Sequence, residues 1–300
     1  MSIWFDDIEI VTKGKYLTIA QVAPECYELI NDPDTLINKL MHHGSGFDIV
    51  TFGQRLPDVI PRHNYYLEWE EIAALRITTY ENWINNQIIK ENRKNIAKAG
   101  KKGVTVRQSE FNDDFVNGIV EIYNECPVRQ GKKFWHYKKD FQTVKRENST
   151  YPDRSIFIGA YFENILIGFV KIVLTEKCAS TLQVISKIEH RDKKATNALL
   201  AKTVEICASR NIPYLQYGVW STGTLGKFKV HNGFEKTLVP KYIAPITLRG
   251  KAALRMNLHH GVRHIIPNEL LEILKKIRSK WYAPKNQSQT AANWPPPSPD

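Results

Sequence analysis

Apolar and polar positions alternate along much of this chain with two distinct periods, and the period changes mark its elements. Over the first 70 residues, IEIVTK, YLTIAQV and FDIVTFG read as short strands, separated by the turn-rich stretches NDPD, HGSG and LPDVIPRH. Residues 78–99 then read as a helix. Trp83, Ile84, Ile88 and Ile96 share a face, Thr78 or Thr79 caps the start, and Gly100 and Gly103 stop it. VTVRQ is a strand, and 112–125 is a helix capped by Asn112, with Phe115, Ile119, Ile122 and Tyr123 on its apolar side.

Beyond residue 150 the period is mainly two. SIFIGAYF and ILIGFVKIVL form a hairpin through Glu163-Asn164, and STLQVISK is a third strand. NALLAKTVEICASRN is a helix with Thr196 or Asn197 at its cap and Leu199, Leu200, Val204 and Cys207 inward. PYLQYGVW is a strand, 223–232 a short helix and EKTLVPKYIAPI a last strand. A basic amphipathic helix is expected at about 267–280, and the polar, proline-rich 283–300 is expected to be disordered. A strand running into a helix N-terminus is an anion site, because the first-turn N–H groups are unpaired and the dipole is positive there.

Charge sharpens this. The net charge is +11. Residues 90–107 hold seven basic residues and one acidic, residues 251–285 hold eight and two, and the remainder is close to neutral. Two basic stretches on a neutral body point to an anionic partner: cofactor phosphates, RNA or a membrane surface. The four cysteines, Cys26, Cys126, Cys178 and Cys207, are far apart and form no CxxC pair, as in a reduced cytoplasmic protein. No run of 18 apolar residues and no signal-like start is present. His259, His260 and His264 have no HExxH-like context, so no metal is expected.

The element order resembles the GNAT acyltransferases, in which a strand–turn–helix with the pattern Q/R-x-x-G-x-G/A holds the pyrophosphate of an acyl-CoA. The matching stretch here is Arg191-Asp192-Lys193-Lys194-Ala195-Thr196, with lysine and threonine where that pattern has glycine. Arg93–Val104 is similar to the "RRxIRKAxKxGV" segment of the FemAB-like branch, Arg129-Gln130-Gly131 to its "TxxRxG" turn, and Leu225–Lys229 to its "GLxxFK" segment. The resemblance spans roughly 80–245. It implies an α+β (α/β) fold class, a GNAT-like, mixed, mostly antiparallel twisted sheet flanked by helices. The implied organisation is an N-terminal α+β segment (1–80, a partial GNAT-like half or extension), an acyltransferase core (81–250), a basic helical segment (251–282) and a tail (283–300).

The candidate site follows. Arg191, Lys193 and Lys194, with Thr196 and Asn197 at the helix start, would hold the donor phosphates. The aromatic, turn-rich loop with Arg129, Gln130, His136 and Tyr137 would line the acceptor. Tyr217 is a candidate general acid and Lys229 a candidate oxyanion or phosphate ligand, with His136 and His231 as candidate bases. No Ser-His-Asp or Cys-His arrangement is suggested, and direct attack of an amine on the donor carbonyl needs chiefly positioning. The expected activity is transfer of an acyl group from acetyl-CoA or another acyl-CoA to an amine, the acceptor being a small molecule or a cell-wall or polysaccharide precursor. The alternatives are an aminoacyl-tRNA donor, or a non-catalytic fold binding nucleic acid or anionic lipid. The helix 267–280 with Trp281-Tyr282 would add weak membrane-surface contact.

Overall fold

The computed structural model describes residues 2–260, apart from 6–7, 24–29, 31, 43, 45 and 130. β1 (Ser2–Phe5), β2 (Ile8–Lys13) and β3 (Ile19–Val22) form an antiparallel meander. α1 (Pro33–His42) follows, and β4 (Ile49–Gly53) lies parallel to β3. β5 (Tyr66–Arg76) leads to α2 (Tyr80–Asn82), a π-helical turn (Trp83–Gln87) and α3 (Lys90–Lys101). Next come β6 (Thr105–Ser109), α4 (Asp113–Asn124), the two-residue strands β7 (Val128–Arg129) and β8 (Lys132–Lys133), and α5 (Phe141–Asn148). The opening order then recurs. β9 (Ser155–Phe162), β10 (Ile165–Leu174) and β11 (Cys178–Ser186) form a second antiparallel meander. α6 (Ala195–Ser209) follows, and β12 (Tyr214–Val219) lies parallel to β11. α7 (Gly223–His231), β13 (Glu235–Pro245), α8 (Leu248–Arg255) and a 3-10 turn (Leu258–His260) end the described chain.

Eleven of the described strands make one sheet in the order β1-β2-β3-β4-β13-β5-β12-β11-β10-β9-β6. Its registers repeat. Ile19, Ala20 and Gln21 pair with Ile49, Val50 and Thr51 as Cys178, Ala179 and Ser180 pair with Tyr214, Leu215 and Gln216. β13 lies against β4 as β5 lies against β12, each half lending its last strand to the other. Exchanging the halves maps the β5–β13 ladder onto itself about the pair Glu70 and Val239. The middle of the sheet is therefore a pseudo-two-fold axis.

α6 buries Leu199, Leu200, Val204 and Cys207 with Leu75, Ile172 and Leu215 in the main core, to which Ala99 of α3 also belongs. The helix begins at Lys194, whose backbone is left-handed (φ 60°) and whose side chain makes no capping bond. A left-handed L-residue costs roughly 1–2 kcal/mol. Burying one of those apolar side chains returns roughly 1.5–3 kcal/mol, so packing decides where the helix starts. α4 and α5 pack Phe115, Val116, Ile119 and Val144 on Phe157 and Phe169 from the other face. α8 covers Ile49 and Ile243 in the N-terminal half. Buried Asp48 anchors it, taking Arg249 Nε at 2.9 Å and Nη2 at 2.7 Å, Thr247 Oγ1 at 2.8 Å and the Thr18 N–H at 2.9 Å.

Several expectations are corrected. The single helix over 78–99 is two, because Ile88 and Ile89 are extended (ψ 153° and 151°) and the turn before them is π-helical. Trp83 is wholly buried there and donates Nε1–H to Asn232 O at 3.0 Å, a tertiary contact that periodicity does not reveal. The cap of α6 is Lys194 and not Thr196 or Asn197, both of which lie inside the first turn. β5, at the centre of the sheet, was not anticipated, since YLEWEEIAALR alternates poorly at its start. The helix at 267–280 and the tail lie outside the described residues.

Candidate active site

β11 and β12 pair for three residues and then part. β11 goes on along β10 to Ser186, while β12 shifts register against β5 between Gln216 and Val219. Gly218 takes φ 59° within that irregularity. The result is an opening between Thr181–Ser186 and Tyr217–Val219, next to the N-terminus of α6.

The turn from β11 into α6 is tied on three sides. The Ile188 and Glu189 N–H groups donate to the two carboxylate oxygens of Glu125, each at 2.8 Å. Asp192 takes Lys102 Nζ at 2.5 Å, which lowers the carboxyl pKa through that hydrogen bond, against slight desolvation. Lys193 Nζ lies 3.4 Å from the centre of the Phe162 ring. Arg191 is exposed. Lys194, where the GNAT pattern has glycine, holds a left-handed backbone of the kind glycine adopts without strain. Thr196 Oγ1 is 2.9 Å from Ser186 Oγ, and Asn197 is buried beneath it.

Arg129 reaches the same strand end from below. It donates Nη1–H to Ser186 O at 2.8 Å, and Nη2–H to Ile122 O at 2.8 Å and Glu125 Oε2 at 3.0 Å. Burial lowers its pKa while Glu125 opposes that. Its guanidinium therefore braces the turn. Gln130 lies outside the described residues. His136 points inward, 3% exposed, among Tyr123, Phe134 and Trp135, and burial pulls its pKa down to about 3. It is a neutral, enclosed imidazole beneath the surface. Tyr137 is half-buried beside Lys138.

Tyr217 and Lys229 come together at the end of β12, with Lys229 Nζ 5.0 Å from the Tyr217 ring centre. The Tyr217 ring meets Phe228 and Phe234 edge-on, and burial pushes its phenol up to about 12. At neutral pH it is an O–H donor and not a base. Lys229, 2% exposed, donates to Val219 O at 2.7 Å and Ser221 Oγ at 3.0 Å, and desolvation lowers its pKa. Among the described residues it meets no carboxylate. His231 is exposed on α7. Burial raises the thiols of Cys178 and Cys207 to about 11 and about 12, which removes both as nucleophiles.

Sequence reasoning missed a cavity of about 320 Å³ on the opposite face, at the pseudo-two-fold axis. Gln21, Thr51, Glu70, Gln216 and Lys241 line it, so it borders the separation of β3 from β4 as well as the end of β12. Thr51 Oγ1 is buried there with no partner among the described residues. Only strand pairing brings these positions together, and no local motif announces them. Lys102 was missed for the same reason, whereas Glu125 was legible as a pairing partner of Arg129 but not as the acceptor for the turn amides.

No protein-family model matches the chain, and no curated protein sequence is detectably similar to it. Solved structures do match. The C-terminal domain of a putative lysylphosphatidylglycerol synthetase from Agrobacterium fabrum superposes with TM-score 0.55 at 12% identity, over 86% of this chain and 88% of that one. FemX gives 0.57 at 9%, over 81% and 87%. L-PGS from Bacillus licheniformis gives 0.51 at 15%, over 84% and 86%. The chain has a FemAB-like GNAT fold. Within it, β1–β5 with α1 and β9–β13 with α6 follow much the same element order. At these identities the likeness is one of fold.

Proposed function

We propose that this protein is an N-acyltransferase. A phosphate-bearing donor, acyl-CoA, lies with its phosphates on the turn 188–194 and its acyl arm between β11 and β12, and the amine acceptor occupies the central cavity. The observation that carries this reading is the parting of β11 from β12 beside a helix start whose Ala195 and Thr196 N–H groups have no backbone partner among the described residues. Arg191, at the pattern's own charged position, and Lys194, in place of its first glycine, supply side-chain charge. The opening leads from the α6 side to Gln216 and Gly218, which line the cavity. Tyr217 is protonated and suits proton donation to the leaving group, and Lys229 holds the strand end that presents it. Acyl transfer then needs an attacking amine, which gives up one proton as the C–N bond forms, a positioned carbonyl and a proton donor to the thiolate released as the C–S bond breaks, without a covalent enzyme intermediate.

One observation favours an aminoacyl-tRNA donor as the second reading. Lys90, Lys94, Lys98 and Lys101 form an exposed stripe along α3, and Lys102 at the end of that helix bonds the turn itself through Asp192. Such a stripe would follow RNA phosphates out of the site. The names of the lysylphosphatidylglycerol synthetase neighbours fit an aminoacylated acceptor of lipid type, and the basic C-terminal segment would then approach anionic lipid.

Calorimetry with coenzyme A and acetyl-CoA, at two salt concentrations, tests the first reading against an Arg191→Ala/Lys194→Ala double variant. Saturable binding lost in the variant supports it. Absence of CoA binding with tight, steeply salt-dependent tRNA binding moves the donor to aminoacyl-tRNA. A folded wild type that binds neither overturns the transferase proposal.

A further inference from the structure

Glu68 stands two residues before Glu70 on β5 and opposite Lys241 on β13, so it lies on the sheet face that carries the central cavity, beside the lining residue Lys241. The 3-10 turn after α8 brings two consecutive histidines to it. His259 Nε2 lies 2.7 Å and His260 Nε2 2.8 Å from the same oxygen, Glu68 Oε1. Three potential ligand atoms, one from each residue, lie within 4.8 Å of one another. The side chain of His259 is 3% exposed, and those of Glu68 and His260 are 21% and 38%. The two imidazoles are 4.0 Å apart, centre to centre, and Tyr66 stands edge-on to His259 at 6.2 Å. His259 Nδ1 is buried with no partner among the described residues, so the polar contact of that ring is all on the side facing the cluster. The grip of Asp48 on α8 fixes the segment that carries both histidines.

We propose that Glu68, His259 and His260 form a site for a divalent transition-metal ion, zinc being the best match. Two imidazole nitrogens and one carboxylate oxygen suit a borderline ion. Magnesium and calcium prefer all-oxygen shells. Three protein ligands leave a fourth position for water or a substrate atom, the ligand count of reactive rather than purely structural zinc. With bonds of about 2.0–2.1 Å, tetrahedral ligands sit about 3.3–3.4 Å apart, so each nitrogen must draw back from Oε1 by about 0.6 Å. Small side-chain rotations supply that. Bound metal would also tie the C-terminal turn to the central strand and raise stability by mass action. The proposal does not rest on the transferase reading.

The test uses the full-length, tag-free chain, stripped with a chelator and titrated with zinc chloride by calorimetry. Cobalt chloride, followed by visible absorption, reports the ligand geometry. One zinc per chain at micromolar affinity or tighter is expected. Glu68→Gln and His260→Ala, shown to be folded by circular dichroism, should weaken it by at least the ~10–100-fold that losing a residue supporting such a site costs. Both should also lose the cobalt bands. The proposal is overturned if the stripped, folded wild type takes up no zinc at micromolar concentration, or if both folded variants bind zinc as the wild type does.

Discussion

Replacing Arg129 by methionine keeps an unbranched apolar stem and removes three charge-assisted hydrogen bonds at once. Two of their acceptors, Ser186 O and Ile122 O, lose their only side-chain donor among the described residues, and Glu125 loses its counter-ion. The two side chains are only 16% and 15% exposed, so solvent screens little of the loss. Breaking a buried pair from one side costs about 3–5 kcal/mol. Glu125 still receives two backbone N–H groups, which puts the expected loss near the lower end, about 3 kcal/mol. Glu125→Gln should cost a similar amount, and the double variant should recover about 1–3 kcal/mol of the sum because the two act as one unit. Arg129→Lys should rescue little, since a compact ammonium lacks the planar fork that reaches acceptors spread between two elements. Urea unfolding at neutral pH measures these values through the midpoint at constant slope. Hydrogen exchange at the Ile188 and Glu189 amides should accelerate in Glu125→Gln. A folded Arg129→Met with less than about 0.5 kcal/mol of loss, or strictly additive single variants, would refute the bracing role. Arg129 would then return to the acceptor site as the sequence first suggested.

Three further outcomes follow from the same geometry. Lys194→Gly should stabilise the fold by about 0.5–1 kcal/mol, because it relieves a left-handed L-residue at some cost in unfolded-chain entropy, whereas Lys194→Ala should not; the difference between their unfolding midpoints isolates the backbone effect. His136 is neutral in the folded state down to about pH 3, while its unfolded form protonates below its ordinary 6.5. Its contribution is therefore intact above pH 6.5 and falls by ~1.4 kcal/mol per unit as the pH drops below that, a slope that His136→Phe should remove between pH 6 and 5. Gly250→Ala places a methyl group 2.1 Å from the backbone oxygen of Asp48, so α8 must lift. A thermal melt should register a loss of about 1–3 kcal/mol.

Strongly periodic segments were legible from the chain. Helix 112–125, the hairpin at Glu163-Asn164 with both residues at positive φ, and the strand–helix–strand order beyond residue 178 all appear where the pattern puts them. The GNAT-like order was readable because it depends on local propensity and on short connections. Lys194 shows the limit. Its lysine hides a left-handed turn that a glycine would have signalled plainly, and only the backbone angle reveals it. Arg129 shows another, since whether it faces a ligand or Glu125 depends on a carboxylate one helical turn away and on a strand end 57 residues further on.

By itself the sequence determined the type of most elements, the inward faces of the helices and the two basic stretches, because each depends on spacing within one short segment. Tertiary structure alone decided that β5 and β13 cross between the halves, and that Glu70, Lys241, Thr51 and Gln216 meet around one cavity. It also decided that Glu68 meets His259 and His260 across 191 residues. The reason is physical. Strand pairing and charge pairing between distant segments have no period along the chain, so they are set only when the whole sheet forms and each buried polar group must find its partner.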